Sequence, residues 1–118
     1  MFQHQRVLIV EDEPLILMMV EQMVEDLGLI VDGCAYSEDG AIEMLKDTAP
    51  DIAILDVKLG EDTSLAVAGA CKARGISVIF TTGLSPDDYG QFCDGNPVLN
   101  KPFTIEDLTE ALEAVDRH

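Results

Sequence analysis

Positive charge is scarce in this chain: Lys and Arg together number seven against 23 Asp and Glu, a net charge of 7 − 23 = −16. Such a surface repels nucleic acid phosphates and anionic lipid headgroups, so nucleic acid and membrane are both poor partners. It suits a protein that docks onto other proteins or holds a cation. Cysteine is sparse as well. The three present, Cys34, Cys71 and Cys93, are odd in number and show no metal-ligand spacing. They read as reduced thiols of a cytoplasmic protein, mostly small buried hydrophobes, and not as a disulfide framework. No apolar run approaches the ~20 residues of a membrane span. The opening "MFQHQR" lacks the basic and apolar regions of a signal peptide. His4 and His118 lie at the termini, where a catalytic role is not expected.

What is present is a core. Hydrophobic residues make up 47% of the 118 residues, enough for one packed domain over 1–118 and too many for a disordered chain. No repeat, linker or low-complexity tract divides it. Short apolar runs alternate with helical patterns. Val7 to Val10 reads as a strand buried on both faces, followed by Pro14 at a first helical turn. Ile16, Met19, Val20, Met23, Val24 and Leu27 then recur at helical spacing as an inward face, up to Gly28. Further strands are expected over Leu29 to Ala35, Ile52 to Leu55 and Ile76 to Phe80, with a short last one around Val98 and Leu99. Helices are expected around Ala41 to Leu45 and from about Leu65 to Arg74, the latter stopped by Gly75. A marginal helix is expected over "SPDDYGQFCDG". A final one opens with the capping box "TIED", Thr104 to Asp107. Strands alternating with helices imply a parallel sheet covered on both faces.

In open parallel sheets, ligands bind at the carboxyl ends of the strands, near the switch point of strand order. After the first strand come Glu11 and Asp12; at the end of the third, Asp56; after the fourth, Thr81 and Thr82; after the fifth, Lys101. Distant carboxylates should therefore meet on one edge. Two of them about 4 Å apart repel by roughly 4 kcal/mol at an effective dielectric of 20, which a proton or a cation must relieve. Lys101 offsets one charge only. Mg²⁺ is commonly held by a few carboxylates, water and a phosphate oxygen. An ionised Asp beside it is a competent nucleophile for phosphoryl transfer, with Thr82 and Lys101 placed to receive phosphoryl oxygens. Taken singly, Asp56 also fits a solvated strand-end residue; the convergence of Asp12, Asp56, Thr82 and Lys101 decides for a phosphoryl site.

The motifs "VEDEP", "ILDVKLG", "FTTG" and "NKPF", in this order and spacing, resemble the receiver domain of two-component response regulators over essentially the whole chain. The resemblance implies a flavodoxin-like fold, α/β and doubly wound, with a five-stranded parallel sheet of order 2-1-3-4-5 and five helices. It implies that Asp56 accepts a phosphoryl group from the phosphohistidine of a histidine kinase. It further implies that Asp12 binds Mg²⁺ directly, Glu11 through water, and that the Lys58 carbonyl completes the protein ligands. Thr82 would be the switch hydroxyl, Lys101 its ion-pair partner, and Lys101–Pro102 a cis peptide. "VIFTTGLSPDDYG" and "NPVLNKPF" are similar to the FAT-GUY group, often stand-alone receivers paired with HWE-type kinases; Thr81 stands where that group has Ala.

Two departures matter. Most receivers carry an aromatic residue three positions before the Lys, where this chain has Val98. The switch is therefore expected in the segment after the fourth strand, involving Gly83, Leu84 and Tyr89. Its interior Gly90 costs about 1 kcal/mol relative to Ala, which makes a two-turn helix marginal. By resemblance, Lys58 and Leu84 flank the route of the hydrolytic water, and Gly83 leaves the pocket open to the donor imidazole. Leu15 and Met18, off the inward face of the first helix, are candidates for docking the kinase.

The expected function is a stand-alone, non-enzymatic bacterial signalling protein. It would act on a downstream protein target or as a phosphate sink, since the last helix ends at the C-terminus and leaves no output domain. An Asp-nucleophile phosphatase is the enzyme alternative, but such enzymes usually have a second Asp where this chain has Lys58. A nucleotide or flavin module is disfavoured because "EDEP" has no glycine and would repel phosphates. An unphosphorylated interaction module is the remaining alternative.

Overall fold

The computed structural model describes residues 5–83 and 95–116. The strands are β1 (Arg6–Val10), β2 (Ile30–Ala35), β3 (Ile52–Asp56), β4 (Lys58–Leu59), β5 (Asp62–Thr63), β6 (Ser77–Thr82) and β7 (Val98–Asn100). The helices are α1 (Pro14–Asp26), α2 (Glu38–Asp47), α3 (Leu65–Ala73) and α4 (Ile105–Asp116). Five strands form one parallel sheet in the order β2-β1-β3-β6-β7, which is the expected 2-1-3-4-5 pattern of a flavodoxin-like fold. The two-residue strands β4 and β5 make a separate antiparallel hairpin directly after β3, which the sequence did not announce. The expectation of five helices becomes four among the described residues, because the segment read as the marginal helix falls in 84–94, outside them. Leu84, Tyr89 and Cys93 lie there too. No described helix is long and apolar enough to cross a membrane.

The helix boundaries have local causes. α1 starts with Pro at its first turn and ends at Gly28 (φ 87°), where Gly28 N–H bonds Glu25 O and Leu29 N–H bonds Val24 O. These paired bonds satisfy the orphan carbonyls, and buried Leu29 supplies the accompanying apolar contact. α3 ends the same way at Gly75 (φ 75°), with Ile76 N–H on Cys71 O. The expected capping box is present: Asp107 N–H donates to Thr104 Oγ1 at 3.1 Å and Thr104 N–H to Asp107 Oδ2 at 3.0 Å. Arg74, just past α3, donates to Leu45 O at 2.5 Å and Thr48 O at 2.8 Å, fastening the open end of α2.

Alternate residues of each strand feed two cores. Val7, Ile9, Ile54 and Ile79 pack under α1 and α4; Leu8, Val10, Leu55 and Phe80 pack under α2 and α3. Burial on both faces explains why these strands read as continuous apolar runs. One inward face needs correction. Met19, expected on the core side of α1, is 51% exposed, and Leu17 is buried instead. The rest of the expected stripe holds: Val20 and Val24 are buried and Ile16, Met23 and Leu27 pack against the core, while the unbroken apolar run Leu15 to Val20 hides that Leu17, not Met19, completes it.

Candidate functional site

Register places the polar residues before any side chain is considered. β1, β3, β6 and β7 are parallel neighbours, so their carboxyl ends share one edge of the sheet. Asp56 is the last residue of β3 and pairs with Thr81, while Thr82 pairs with Asn100. Backbone bonds continue past the strand ends, from Val57 N–H to Thr81 O at 2.9 Å and from Lys101 N–H to Thr82 O at 2.8 Å. These bonds set Asp56, Thr82 and Lys101 side by side. Lys101 leaves β7 through a cis peptide to Pro102, as the resemblance implied. Glu11 N–H bonds Ala35 O at 3.0 Å, which fixes the chain as it leaves β1 for α1.

The carboxylates meet. One oxygen each from Glu11, Asp12 and Asp56 lies within 4.8 Å of the others. Lys101 Nζ bridges two of them, 2.7 Å from Glu11 Oε1 and 2.9 Å from Asp56 Oδ2. Glu11 is buried and also accepts the Glu13 N–H at 3.2 Å, while Asp12 is half-buried and accepts the Gly60 N–H at 2.9 Å. Thr82 is buried beside them. An open cavity of about 270 Å³ gives access, lined by Asp12, Asp56, Lys58, Thr82, Gly83 and Lys101 among others.

The electrostatics follow from burial. Asp56 is pushed up to about 7, first by removal from water and then by the Glu11 charge, against the hydrogen bond and charge of Lys101. Lys101 moves upward: burial works against its charge, but its bonds to Glu11 and Asp56 and their charges prevail. Three carboxylates with one ammonium leave negative charge in a small space. That donor set, hard oxygens with room for water, fits a small divalent cation such as Mg²⁺.

The structure does not gather every singled-out residue. Leu15 and Met18 lie on the outer side of α1, 76% and 64% exposed, and do not line the cleft. Val98 is half-buried on β7 and packs on the α2–α3 side of the sheet. Thr81 is buried next to Thr82 as a packing residue. Cys71 is buried and Cys34 half-buried; burial pushes both thiols up to about 11, so they stay protonated at neutral pH. Two features escaped the sequence reading. Lys101 pairs with Glu11 as well as Asp56, and Gly60 reaches Asp12. A Gly two residues after Lys58 is a turn signal, but nothing in the sequence says which carboxylate its amide meets.

The family model of the response regulator receiver domain matches residues 7–113. The chain is 33% identical over 117 residues to the transcriptional regulatory protein PdtaR of Mycobacterium tuberculosis, covering 95% of this chain and 57% of PdtaR. It is 37% identical over 102 residues to the phyllosphere-induced regulator PhyR of Methylorubrum extorquens, covering 82% of this chain and 38% of PhyR. It thus spans about half, or less, of the length of these curated relatives. SdrG from Sphingomonas melonis Fr1 superposes with a TM-score of 0.85 at 42% identity, over 95% of this chain and 96% of SdrG. PhyR from Brucella abortus superposes with a TM-score of 0.83 at 31% identity, over 95% of this chain and 47% of PhyR. A match that runs from β1 into α4, on a sheet of this strand order with carboxylates gathered at its edge, places the chain in the response regulator receiver domain family.

Proposed function

We propose that residues 1–118 work as one receiver unit that takes a phosphoryl group from a sensor histidine kinase onto Asp56. The observation that carries this reading is the Asp56 carboxylate itself. It is buried at a strand end, 2.9 Å from Lys101 Nζ, beside Glu11 and Asp12 and open to a cavity large enough for a phosphoryl group. In the transfer, the P–N bond of the donor phosphohistidine breaks and a P–O bond forms to an Asp56 oxygen. The imidazole nitrogen leaves with the electron pair. Asp12, Asp56 and the Lys58 carbonyl would hold Mg²⁺, with Glu11 reaching it through water. When bound, the ion offsets charge on the phosphoryl oxygens. Lys101 orients Asp56 and offsets part of the cost of its charge, then receives a phosphoryl oxygen, and Thr82 hydrogen-bonds another. Lys58 at the cavity rim flanks the approach of the hydrolytic water.

Such a protein is a cytoplasmic signalling component and not an enzyme, acting through a downstream protein target or as a phosphate sink. An HWE-type kinase suits the FAT-GUY-like "FTTG" segment. PdtaR and PhyR are named as regulators, and each is longer than this chain; their outputs are theirs. The exposed Leu15 and Met18 give α1 an apolar surface on an otherwise acidic protein, suited to the kinase's helical hairpin. Leu15→Glu is expected to slow transfer from the cognate kinase severalfold while leaving uptake from a small phosphodonor unchanged. An unaltered kinase rate would reject that docking role.

The decisive test is incubation with Mg²⁺ and a small phosphodonor such as acetyl phosphate, read by intact mass. One labile phosphoryl addition is expected, lost on chelation of the metal and absent from Asp56→Asn. Rapid multiple turnover of unrelated phosphomonoesters would instead make the protein a phosphatase.

A further inference from the structure

The hairpin that follows β3 meets two carboxylates of the cleft, Asp12 and Asp56. Gly60 N–H donates to Asp12 Oδ2 at 2.9 Å, and Lys58 N–H lies 3.4 Å from Asp56 Oδ1, a long contact. On the other side, Lys101 Nζ holds Asp56 Oδ2 at 2.9 Å. The hairpin is closed by the pairs Lys58↔Thr63 and Leu59↔Asp62, and Leu59 anchors it in the core at 4% exposure. Its turn begins at Gly60 with φ 63°, a conformation most L residues avoid. The amide that reaches Asp12 is thus presented by an anchored, conformationally special residue.

We infer that Gly60 is a specificity-determining residue of the cation site: its N–H keeps Asp12 a one-oxygen ligand and so favours Mg²⁺ over Ca²⁺. Ca²⁺ takes six to eight oxygens at about 2.3–2.6 Å and commonly draws both oxygens of a carboxylate. Mg²⁺ takes a tight octahedron at about 2.0–2.1 Å, one oxygen per carboxylate, and keeps several waters. Asp12 Oδ2 already accepts the Gly60 amide and Asp56 Oδ2 the Lys101 ammonium, so a cation that draws both oxygens of either carboxylate must weaken that bond, whereas one that takes the other oxygen leaves it whole. The inference rests on the reading of Glu11, Asp12 and Asp56 as the cation site.

The test is separate titration of the full chain with Mg²⁺ and Ca²⁺, followed by its amide proton–nitrogen spectrum. The wild type is compared with Gly60→Asn, which tolerates positive φ and keeps the N–H, and Gly60→Val, which resists positive φ. Wild type and Gly60→Asn are expected to share one preference for Mg²⁺; Gly60→Val is expected to lose about tenfold of it, as one hydrogen bond is worth. In the wild type, the Gly60 amide should stay protected from hydrogen exchange at saturating Mg²⁺, a readout that needs no variant to fold. A folded Gly60→Val with the wild-type preference, or a Gly60 amide that loses protection when Mg²⁺ binds, overturns the inference and leaves the cation site standing. A wild type that binds neither cation removes the site and the inference together.

Discussion

Lys101→Ala is expected to destabilise the metal-free protein by about 3 kcal/mol, and saturating Mg²⁺ to recover much of that loss. The Lys101 ammonium bridges Glu11 and Asp56, whose side chains are only 3% and 8% exposed, while its own is 18% exposed. Deleting it leaves two buried carboxylates facing each other without a counter-charge, the situation in which breaking a buried pair is most damaging. Protonation of Asp56 limits the loss, because its pKa already stands near 7. A divalent cation supplies the missing positive charge at the same place, hence the recovery. Lys101→Met, which keeps most of the apolar stem, separates lost packing from lost charge. Urea unfolding with chelator and with Mg²⁺ measures both effects. Equal stability of Lys101→Ala and wild type without metal would mean that the bridge is not a structural counter-charge.

The linkage of Lys101 itself has a definite sign. Its pKa is raised in the folded state, so its stabilisation is fully present below the ordinary lysine value and fades only as pH climbs through the higher folded one. Across the neutral range the Lys101 ammonium therefore stays charged. The pH dependence of the cleft near neutrality belongs to Asp56.

Much of this arrangement is legible in the sequence, and the residues say why. Val7 to Val10 and Ile52 to Leu55 are strands buried on both faces, and such strands must be apolar throughout, so their ends are visible as the first carboxylates, Glu11 and Asp56. Gly28, Gly75 and the Thr104–Asp107 box mark helix ends through backbone chemistry that acts within a few residues. On α1 only the choice between Leu17 and Met19 was not legible, because the run Leu15 to Val20 offers no polar residue to mark the outside. The hairpin at Lys58–Thr63 was not legible either. Two-residue strands carry no periodicity, and the bond from Gly60 to Asp12 spans 48 positions in sequence. The double role of Lys101 depends on the reach of a flexible side chain into a space set by four strand ends, which no local pattern encodes.

Asp56→Asn is expected to make the metal-free protein more stable than wild type, by about 1–2 kcal/mol at pH 8, or roughly 5 °C in Tm. The folded state raises the Asp56 pKa from 3.8 to about 7 because burial and the Glu11 charge disfavour the carboxylate more than Lys101 favours it. For an acid shifted upward, the folded form holds a proton that the unfolded form has already released between about pH 4 and pH 7. Stability from this group is fully present below pH 4, declines as pH rises through that window, and stays at its lowest above it. The advantage of Asn, which has the shape without the charge, should accordingly be near zero at pH 4, grow to pH 7 and then level off. The cleft is partly open to water, so the effect is smaller than the full shift would give. Saturating Mg²⁺ should reverse the order, since the ion stabilises the wild-type carboxylate and loses a ligand in the variant. Denaturation across pH 4–8, with chelator and with Mg²⁺, tests each step. A variant no more stable than wild type at pH 8 without metal would show that the Asp56 carboxylate is not held in the folded protein against its own charge.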